Sequence, residues 1–424
     1  MLSAIINAFR VPDLRRKILF TLSIIALYRL GCFIPVPGIP ANALVEAFQS
    51  SADNAAMVFL NLFSGNALSK FSVLSLGIMP YITASIIMQL MQGVIPALQR
   101  WAREGETGQK KITQITRYVT LGLGLINAIG YLMLFQSKQY GVVLPAGLPH
   151  MFTSAIIVFT LVAGVALIMW MGELITQRGI GNGMSLIIFA NIVAGFPSAI
   201  WNSATTQTPA MTVLIIVVVL AVIPGIVLIE RAQRRIPINY AKRIQGRRVM
   251  GGTSTYIPLK VNGAGVIPII FASALLYFPA QLAAFFDVGW LHTLSNTLSS
   301  GHWLNWVLNA ALIVFFCFFY TSMVFNPDDT ADNLRKQGGF IPGVRPGTNT
   351  VQYIKNVLHR ITLPGGFYIA SIAVVPSILF TMTGDSLITA FGGTSILIMV
   401  GVALDTMSKL ESQLKMHHYE GFFK

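Results

Sequence analysis

Long apolar runs separated by short polar stretches dominate this sequence. Windows of about 19 residues identify ten such runs. A helical run of this length matches the roughly 30 Å hydrocarbon core of a bilayer. The pattern therefore predicts ten transmembrane helices, at residues 18–34, 71–92, 114–135, 152–171, 181–200, 211–229, 264–286, 304–325, 366–383 and 387–407.

The composition of the 424 residues argues against a water-soluble enzyme. Apolar and aromatic residues make up 54% of the chain, charged residues only 10%, and the mean hydropathy is +0.68. Soluble domains carry about 25% charged residues, because their surfaces must cover an apolar core. The expected fold class is an all-α integral membrane protein.

The basic residues are distributed unevenly, and this sets the predicted topology. The chain has 29 Lys and Arg against 15 Asp and Glu, a net charge of +14. If the N-terminus is cytoplasmic, 26 of the 29 lie on the cytoplasmic side, and an odd number of spans would mix them. Both termini are therefore expected in the cytoplasm. The most basic loops, 230–262 and 326–360, are expected to face an anionic partner.

Arg29 is the sole ionisable residue well within a predicted span. A charge there costs ~3 kcal/mol or more on insertion scales, so the residue needs a physical explanation. Its side chain can snorkel to the outer interface from one turn below Phe33. Alternatively, it forms an ion pair with another helix.

Two pairs of segments resemble each other in the same order. Residues 77–85 in the second span and 265–273 in the seventh share G-x-x-P-x-I-x-A-S. Residues 183–188 and 393–398 share G-x-S, two apolar residues and Ile. Because span two pairs with seven and span five with ten, both matches fit a duplication of five helices. The alternative is that these motifs are simply common in membrane helices, where Gly and Pro are enriched, and do not indicate a duplication.

An odd number of duplicated helices inverts the second copy relative to the first. The predicted halves are 1–205 and 206–424, and the pathway of such folds lies between them. Pro80 and Pro268 are expected to kink their helices at equivalent points. Six bulky apolar side chains would converge between the halves, unless they face lipid or another helix. They are Ile78, Ile82, Met184, Ile188, Ile270 and Ile398.

The sequence lacks the usual motifs of membrane enzymes and pumps. It contains no G-x-x-x-x-G-K-[ST], H-E-x-x-H, G-x-S-G or G-x-G-D motif. Cys32 and Cys317 both lie in apolar runs, where small buried hydrophobes are expected rather than a disulfide or a metal site. No carboxylate lies at mid-depth to relay ions. We expect no enzyme activity, cofactor or metal.

Further motifs extend over almost the whole chain. They include Phe63-Ser64-Gly65, Gly172-Glu173, residues 178–183, 239–243, 246–248, 258–262, 325–327, 331–333 and 342–347. In these motifs and in their order, the sequence closely resembles the SecY family, the channel subunit of the bacterial Sec protein translocase.

This resemblance implies an hourglass channel between two inverted, pseudo-symmetric five-helix halves. The halves would hinge between spans five and six and open sideways between spans two and three on one side and seven and eight on the other. The six apolar positions match the family's pore ring, with Met184 where Ile is commoner. Residues of about 57–70 resemble its plug helix, with Asn66 in place of a usual Gly. The plug positions are Asn61, Leu62, Phe63, Ser64, Gly65, Asn66, Ala67 and Leu68.

The implied function is to pass unfolded secretory polypeptides across the bacterial plasma membrane and to release apolar segments into lipid. The resemblance implies SecE and SecG as partner subunits and substrates that carry signal sequences. It also implies that the energy for translocation comes from the SecA motor ATPase or from the ribosome, which would bind through its RNA. Anionic lipids are expected at the basic loops. The docking residues would be Lys242, Arg243, Arg247, Arg248 and Arg345.

Two other classes of function remain open from the residues alone. An inverted-repeat secondary transporter for a small solute is the main alternative, and it would show ion coupling in the purified single protein. A membrane enzyme would need a polar catalytic cluster at one depth, which the sequence does not contain.

Overall fold

The computed structural model describes residues 9–37, 61, 64–136, 150–206, 209–240, 243–245, 248–250, 254–263, 265–285, 289–298, 303–383 and 392–420. Its helices are α1 (Pro12–Gly31), α2 (Met79–Val94), α3 (Pro96–Arg103), α4 (Glu106–Gln136), α5 (His150–Arg178), α6 (Gly183–Thr206), α7 (Pro209–Arg231), α8 (Ile267–Phe285), α9 (Gly289–Thr297), α10 (Trp303–Val324), α11 (Pro327–Lys336), α12 (Thr348–Thr383) and α13 (Gly393–Glu420). Its strands are β1 (Gln233–Tyr240), β2 (Arg243–Gln245), β3 (Arg248–Met250), β4 (Ser254–Lys260) and β5 (Gly339–Phe340).

A helix lies in each of the ten predicted spans, namely α1, α2, α4 to α8, α10, α12 and α13. In the described part of the chain, five helices are long and apolar enough to cross a membrane by themselves. Helices α2 and α3, which meet at a bend of 99°, become a sixth span if counted together. The protein is thus a multi-pass membrane protein, and the ten-helix count fits this structure.

The second span begins later than predicted, at Met79. Residues 64–78 form turns, with Phe71 and Gly77 at φ of 44° and 59°. Pro80 is the second residue of α2, and Pro268 is the second residue of α8. A proline in the first turn removes an N–H that has no helical partner anyway. The expected kinks at these two prolines are therefore wrong.

The two G-x-x-P motifs nevertheless have the same local structure. Gly77 and Gly265 both adopt left-handed backbone conformations, with φ of 59° and 64°. Each glycine lies three residues before its proline, in the turn that precedes a helix. The G-x-S motifs also correspond, because Gly183 is the first residue of α6 and Gly393 is the first residue of α13.

Helix packing joins the two predicted halves at three places. In the first half, α4 packs between α2 and α5, and in the second half α10 packs between α8 and α12. Between the halves, α8 contacts α2 and α4, α13 contacts α6, and α7 contacts α6, the helix before it. The sixth, seventh and tenth spans therefore contact the first half.

A small sheet connects the two basic loops, which the sequence predicted only as loops. Strand β1 pairs antiparallel with β4 and also with β5, so that the sheet order is β4-β1-β5. Ile236 and Ile238 are buried, while the residues between and before them are exposed. This alternation is the usual sign of a strand with one covered face. The described strands β2 and β3 form a separate two-stranded sheet.

Candidate functional site

The six apolar residues singled out by the repeat lie together in the structure. Each is buried, with at most 9% of its surface exposed, and all belong to one continuous apolar cluster. These side chains come from α2 with its N-cap residue and α6 in the first half, and from α8 and α13 in the second half. They are Ile78, Ile82, Met184, Ile188, Ile270 and Ile398.

Helical spacing explains how these side chains share a face. The Ile82 amide donates to the Ile78 carbonyl at 3.1 Å, so these residues are stacked one turn apart. Met184 and Ile188 have the same spacing in α6. The Met184 side chain also lies against α5, where a Cβ at Gly172 would overlap its sulfur.

Part of the predicted plug is described by the structure. Asn61, Ser64, Gly65, Asn66, Ala67 and Leu68 are described, whereas Leu62 and Phe63, like residues 57–60, lie outside the described residues.

The described plug residues form a compact turn held by short hydrogen bonds. The Asn66 amide donates to the Asn61 carbonyl at 2.8 Å, and the Ser69 amide donates to Asn61 Oδ1 at 3.0 Å. Gly65 and Asn66 have φ of 68° and 63°. Among residues other than glycine, Asn tolerates this left-handed region well. Asn66 can therefore occupy the position where the family usually has Gly.

The plug segment contacts two apolar clusters. Ala67 belongs to the cluster that contains the six side chains. Leu68 and Phe71 pack in a second cluster, with residues of α4 and α5. Phe71 is also fixed to the chain that follows α1, because the Val36 amide donates to the Phe71 carbonyl at 3.0 Å. The segment therefore contacts both the cluster with the six side chains and the packed helices α4 and α5.

Arg29 in α1 contacts this segment directly. Its side chain is neither exposed nor fully buried, and Nη1 donates to the Gly65 carbonyl at 2.9 Å. Among the residues that the structure describes, no carboxylate pairs with Arg29. The expected ion pair is therefore not found among these residues, and snorkelling to the interface stays a prediction. The partner of Arg29 is a backbone carbonyl 36 residues away.

A polar groove of about 260 Å³ lies at the seam between the halves. Its walls come from α2 and α4 on one side and α10 on the other, which are the second, third and eighth spans. The sequence did not single out these polar residues, although they recur at helical spacing in α2. They are Tyr81, Ser85, Gln89, Gln92, Gln109, Thr113, Thr116 and Tyr320.

A second cavity, of about 450 Å³, opens near the small sheet between α6, α7, α10 and α13. The turn from β4 into α8 forms part of its wall. Asn262 Nδ2 in this turn donates to Glu230 Oε1 at 2.6 Å and to the Gly265 carbonyl at 3.0 Å. These bonds connect the end of the sixth span with the start of the seventh.

The predicted docking residues are only partly described. Arg345 is exposed, and its carbonyl accepts a hydrogen bond from Thr350 Oγ1 at 3.0 Å. Arg243 and Arg248 lie in β2 and β3, where they pair with Met250 and Gln245. Lys242 and Arg247 lie outside the described residues.

The structure thus places an apolar cluster between two sets of apolar helices, and comparison with known proteins specifies the class of protein. The family profile described as SecY matches residues 72–407. The chain is 47% identical to "Protein translocase subunit SecY" of Streptomyces galbus and 45% identical to that of Mycobacterium tuberculosis, each over 100% of both chains. The chain belongs to the SecY family.

Solved structures share this fold. The structure described as "The structure of a protein conducting channel" matches with a TM-score of 0.64 and 18% identity, over 93% of this chain and 91% of the other. "Sec61 in the Canine ribosome-channel complex from the endoplasmic reticulum" matches with a TM-score of 0.60 and 16% identity over the same shares. As a member of the SecY family, the protein is a protein translocation channel and not an enzyme, and a small-solute transporter is not favoured.

Proposed function

We propose that the six apolar side chains form the seal of this channel. The observation that carries the proposal is their burial in one cluster supplied by helices of both halves. Large apolar side chains cannot solvate ions, so a closed constriction of this kind loses its water and resists leakage. A passing extended chain displaces the side chains without forming bonds that it must later break. The plug segment is the second barrier, packed against this cluster through Ala67.

The side exit is proposed at the seam where the second and third spans face the seventh and eighth. Support comes from the contacts of α8 with α2 and α4, and from the polar groove between α2, α4 and α10. An apolar segment of about 20 residues gains free energy by moving into lipid, and a polar segment continues through the channel. Each segment of the substrate is then sorted by its partition between lipid and the aqueous channel.

The organisation of the chain is proposed to be two inverted halves, 1–205 and 206–424, with both termini in the cytoplasm of a bacterium. The matching local structures at Gly77 and Gly265 support the duplication. The excess of Lys and Arg on one side supports the orientation in the plasma membrane.

We propose that partners supply the energy for translocation, because the sequence contains no phosphate-binding loop of its own. The candidates are the SecA motor and the ribosome, and one structural neighbour is described as part of a ribosome-channel complex. Exposed Arg345 suits the phosphates of ribosomal RNA or an acidic protein surface. SecE and SecG are the proposed partner subunits, and anionic lipids are proposed to contact the basic loops.

A cross-linking experiment tests the proposed pathway. A photo-reactive amino acid is placed at position 82 or 270, in the cluster, or at position 159, where Phe159 is 73% exposed on α5. A secretory precursor with a signal sequence is then arrested during translocation. We expect adducts at 82 and 270 and none at 159. Equal adducts at all three positions, or none in a channel that translocates, would contradict the pathway. Substrate-stimulated ion coupling without motor or ribosome would instead indicate a transporter.

A further inference from the structure

The structure brings three elements together at one glycine of the plug segment. Gly65 has a φ of 68°, which orients its carbonyl in a way that other residues rarely allow. Arg29 Nη1 of α1 donates to that carbonyl at 2.9 Å. Asn191 of α6 lies equally close, so that a Cβ at Gly65 would overlap both Asn191 Oδ1 and Arg29 Nη1.

The helix that supplies Asn191 also supplies two side chains of the proposed seal. Asn191 follows Ile188 by three residues, so that both lie on neighbouring positions of the same face of α6. Asn191 is fully buried, and its Nδ2 donates to Tyr28 Oη at 2.9 Å. Tyr28 precedes Arg29 in α1 and is also fully buried. The contact at Gly65 is therefore made by residues of two helices, α1 and α6, and Asn191 lies one turn from Ile188 of the proposed seal.

The chemistry of this contact suits a bond that must both hold and release. A hydrogen bond from a charged donor is stronger than one between neutral groups, particularly away from bulk water. Its acceptor is a neutral carbonyl, so breaking the bond leaves no second buried charge behind. When the segment moves away, water entering the channel can solvate the guanidinium.

We propose that Arg29 is a positioning residue that holds the plug segment in the closed channel through the Gly65 carbonyl, while Asn191, which is hydrogen-bonded to Tyr28, packs against the same glycine. Opening of the channel then requires this bond to break. The proposal rests on the plug and seal functions proposed above, and it assigns to Arg29 the control of their closed state.

The first test is a double-mutant cycle on the full channel complex in planar bilayers. Arg29→Ala removes the donor, and Gly65→Ala places a Cβ into the contact and strains the backbone. Each is expected to raise the frequency of spontaneous opening ~10-fold or more, the ratio that one charged hydrogen bond corresponds to. Gly65→Ala disturbs the same contact but also meets Asn191 and strains the backbone, so the double variant should open less often than the product of the two single effects predicts.

Two control variants distinguish the loss of this contact from a general destabilisation of the channel. Gly105→Ala imposes the same backbone strain at a φ of 73°, but a Cβ there would contact nothing within 4 Å. It should leave opening unchanged. Arg29→Lys retains the charge with a different reach, and its opening frequency should lie between those of the parent and Arg29→Ala. Translocation of a precursor by each variant shows that the channel is folded.

A chemical readout follows the plug segment itself. Leu68→Cys is introduced into a chain with Cys32→Ala and Cys317→Ala, and a water-soluble maleimide is applied. Leu68 is 1% exposed, so labelling requires the segment to move. Arg29→Ala should increase the labelling rate by about the same factor as the opening frequency. A role in folding alone would not link these two rates.

The outcomes distinguish failure of this inference from failure of the proposed function. If Ile82→Gly with Ile270→Gly raises resting conductance while Arg29→Ala changes neither opening nor labelling, the seal stands and the role of Arg29 is rejected. If the increases in opening frequency caused by Arg29→Ala and Gly65→Ala multiply in the double variant, the role of Arg29 is also rejected. If neither the cluster variant nor Arg29→Ala raises conductance, the proposed seal fails together with this inference.

Discussion

Gly183 lies so close to the carbonyl oxygen of Gly172 that a Cβ on Gly183 would overlap it. The second half contains the same relationship, because a Cβ on Gly393 would overlap the carbonyl oxygen of Ile372. In each half, the helix that supplies apolar side chains to the central cluster thus begins in backbone contact with the helix before it. The repeated glycine allows this close approach.

We predict that Gly183→Ala and Gly393→Ala each destabilise the protein by about 1–3 kcal/mol, since the added methyl group overpacks a contact with backbone. Thermal unfolding of the purified protein in detergent measures the effect. Gly122→Ala in α4 is the matched control, because a Cβ there meets nothing within 4 Å. It should be neutral or stabilising by up to about 1 kcal/mol. Equal melting temperatures for all three variants would contradict this prediction.

The ion pair between Arg117 and Glu173 joins α4 to α5. Arg117 Nε donates to Glu173 Oε1 at 2.7 Å, and Nη2 donates to Oε2, with the Glu173 side chain only 16% exposed. Glu173→Gln should destabilise the protein by about 1.5–3 kcal/mol, because it removes a charged acceptor from a bidentate pair. Thermal unfolding in detergent again provides the measurement.

A second ion pair provides the control for Glu173→Gln. The pair between Glu106 and Lys110 is exposed, with side-chain exposures of 86% and 76%. Glu106→Gln should therefore change stability by about 0.5 kcal/mol or less. If both substitutions have the same small effect, the Arg117–Glu173 pair does not stabilise the contact between α4 and α5.

Charge reversal at Arg345 should weaken motor-driven translocation and leave folding intact. Arg345 is exposed in the turn that precedes α12, and the structure gives its side chain no packing role. The measurement is the translocation rate of a precursor into vesicles with the motor ATPase present. Arg103→Glu, also exposed and placed at the end of α3, controls for general loss of positive charge. An unchanged rate for Arg345→Glu would remove this loop from the docking surface.

The sequence predicted the features that depend on local pattern. A helix lies in each of the ten spans that hydropathy predicted, and the repeat selected six side chains that are buried in one cluster. The start of α2 could not be predicted in the same way. Residues 71–73 are apolar enough for a helix, but they hydrogen-bond to residues 34–36 instead. That pairing depends on chain segments far apart in sequence.

Two other features also depended on tertiary structure. The partner of Arg29 is a carbonyl 36 residues away, and no sequence pattern identifies a backbone acceptor. The strands β1 and β4 were missed because the density of basic residues suggested only loops. The alternation around Ile236 and Ile238 was the available signal for β1.

Resting ion conductance of the channel with Ile82→Gly and Ile270→Gly tests the central proposal most directly. The matched control is Ile215→Gly with Ile354→Gly, which removes buried side chains of α7 and α12 that belong neither to this cluster nor to the one that holds Leu68 and Phe71. If the apolar cluster is the seal, the first pair raises conductance in planar bilayers several-fold, because water and ions enter a constriction that no longer excludes them, and the control pair does not. Conductance at the parent level for both pairs would contradict the seal.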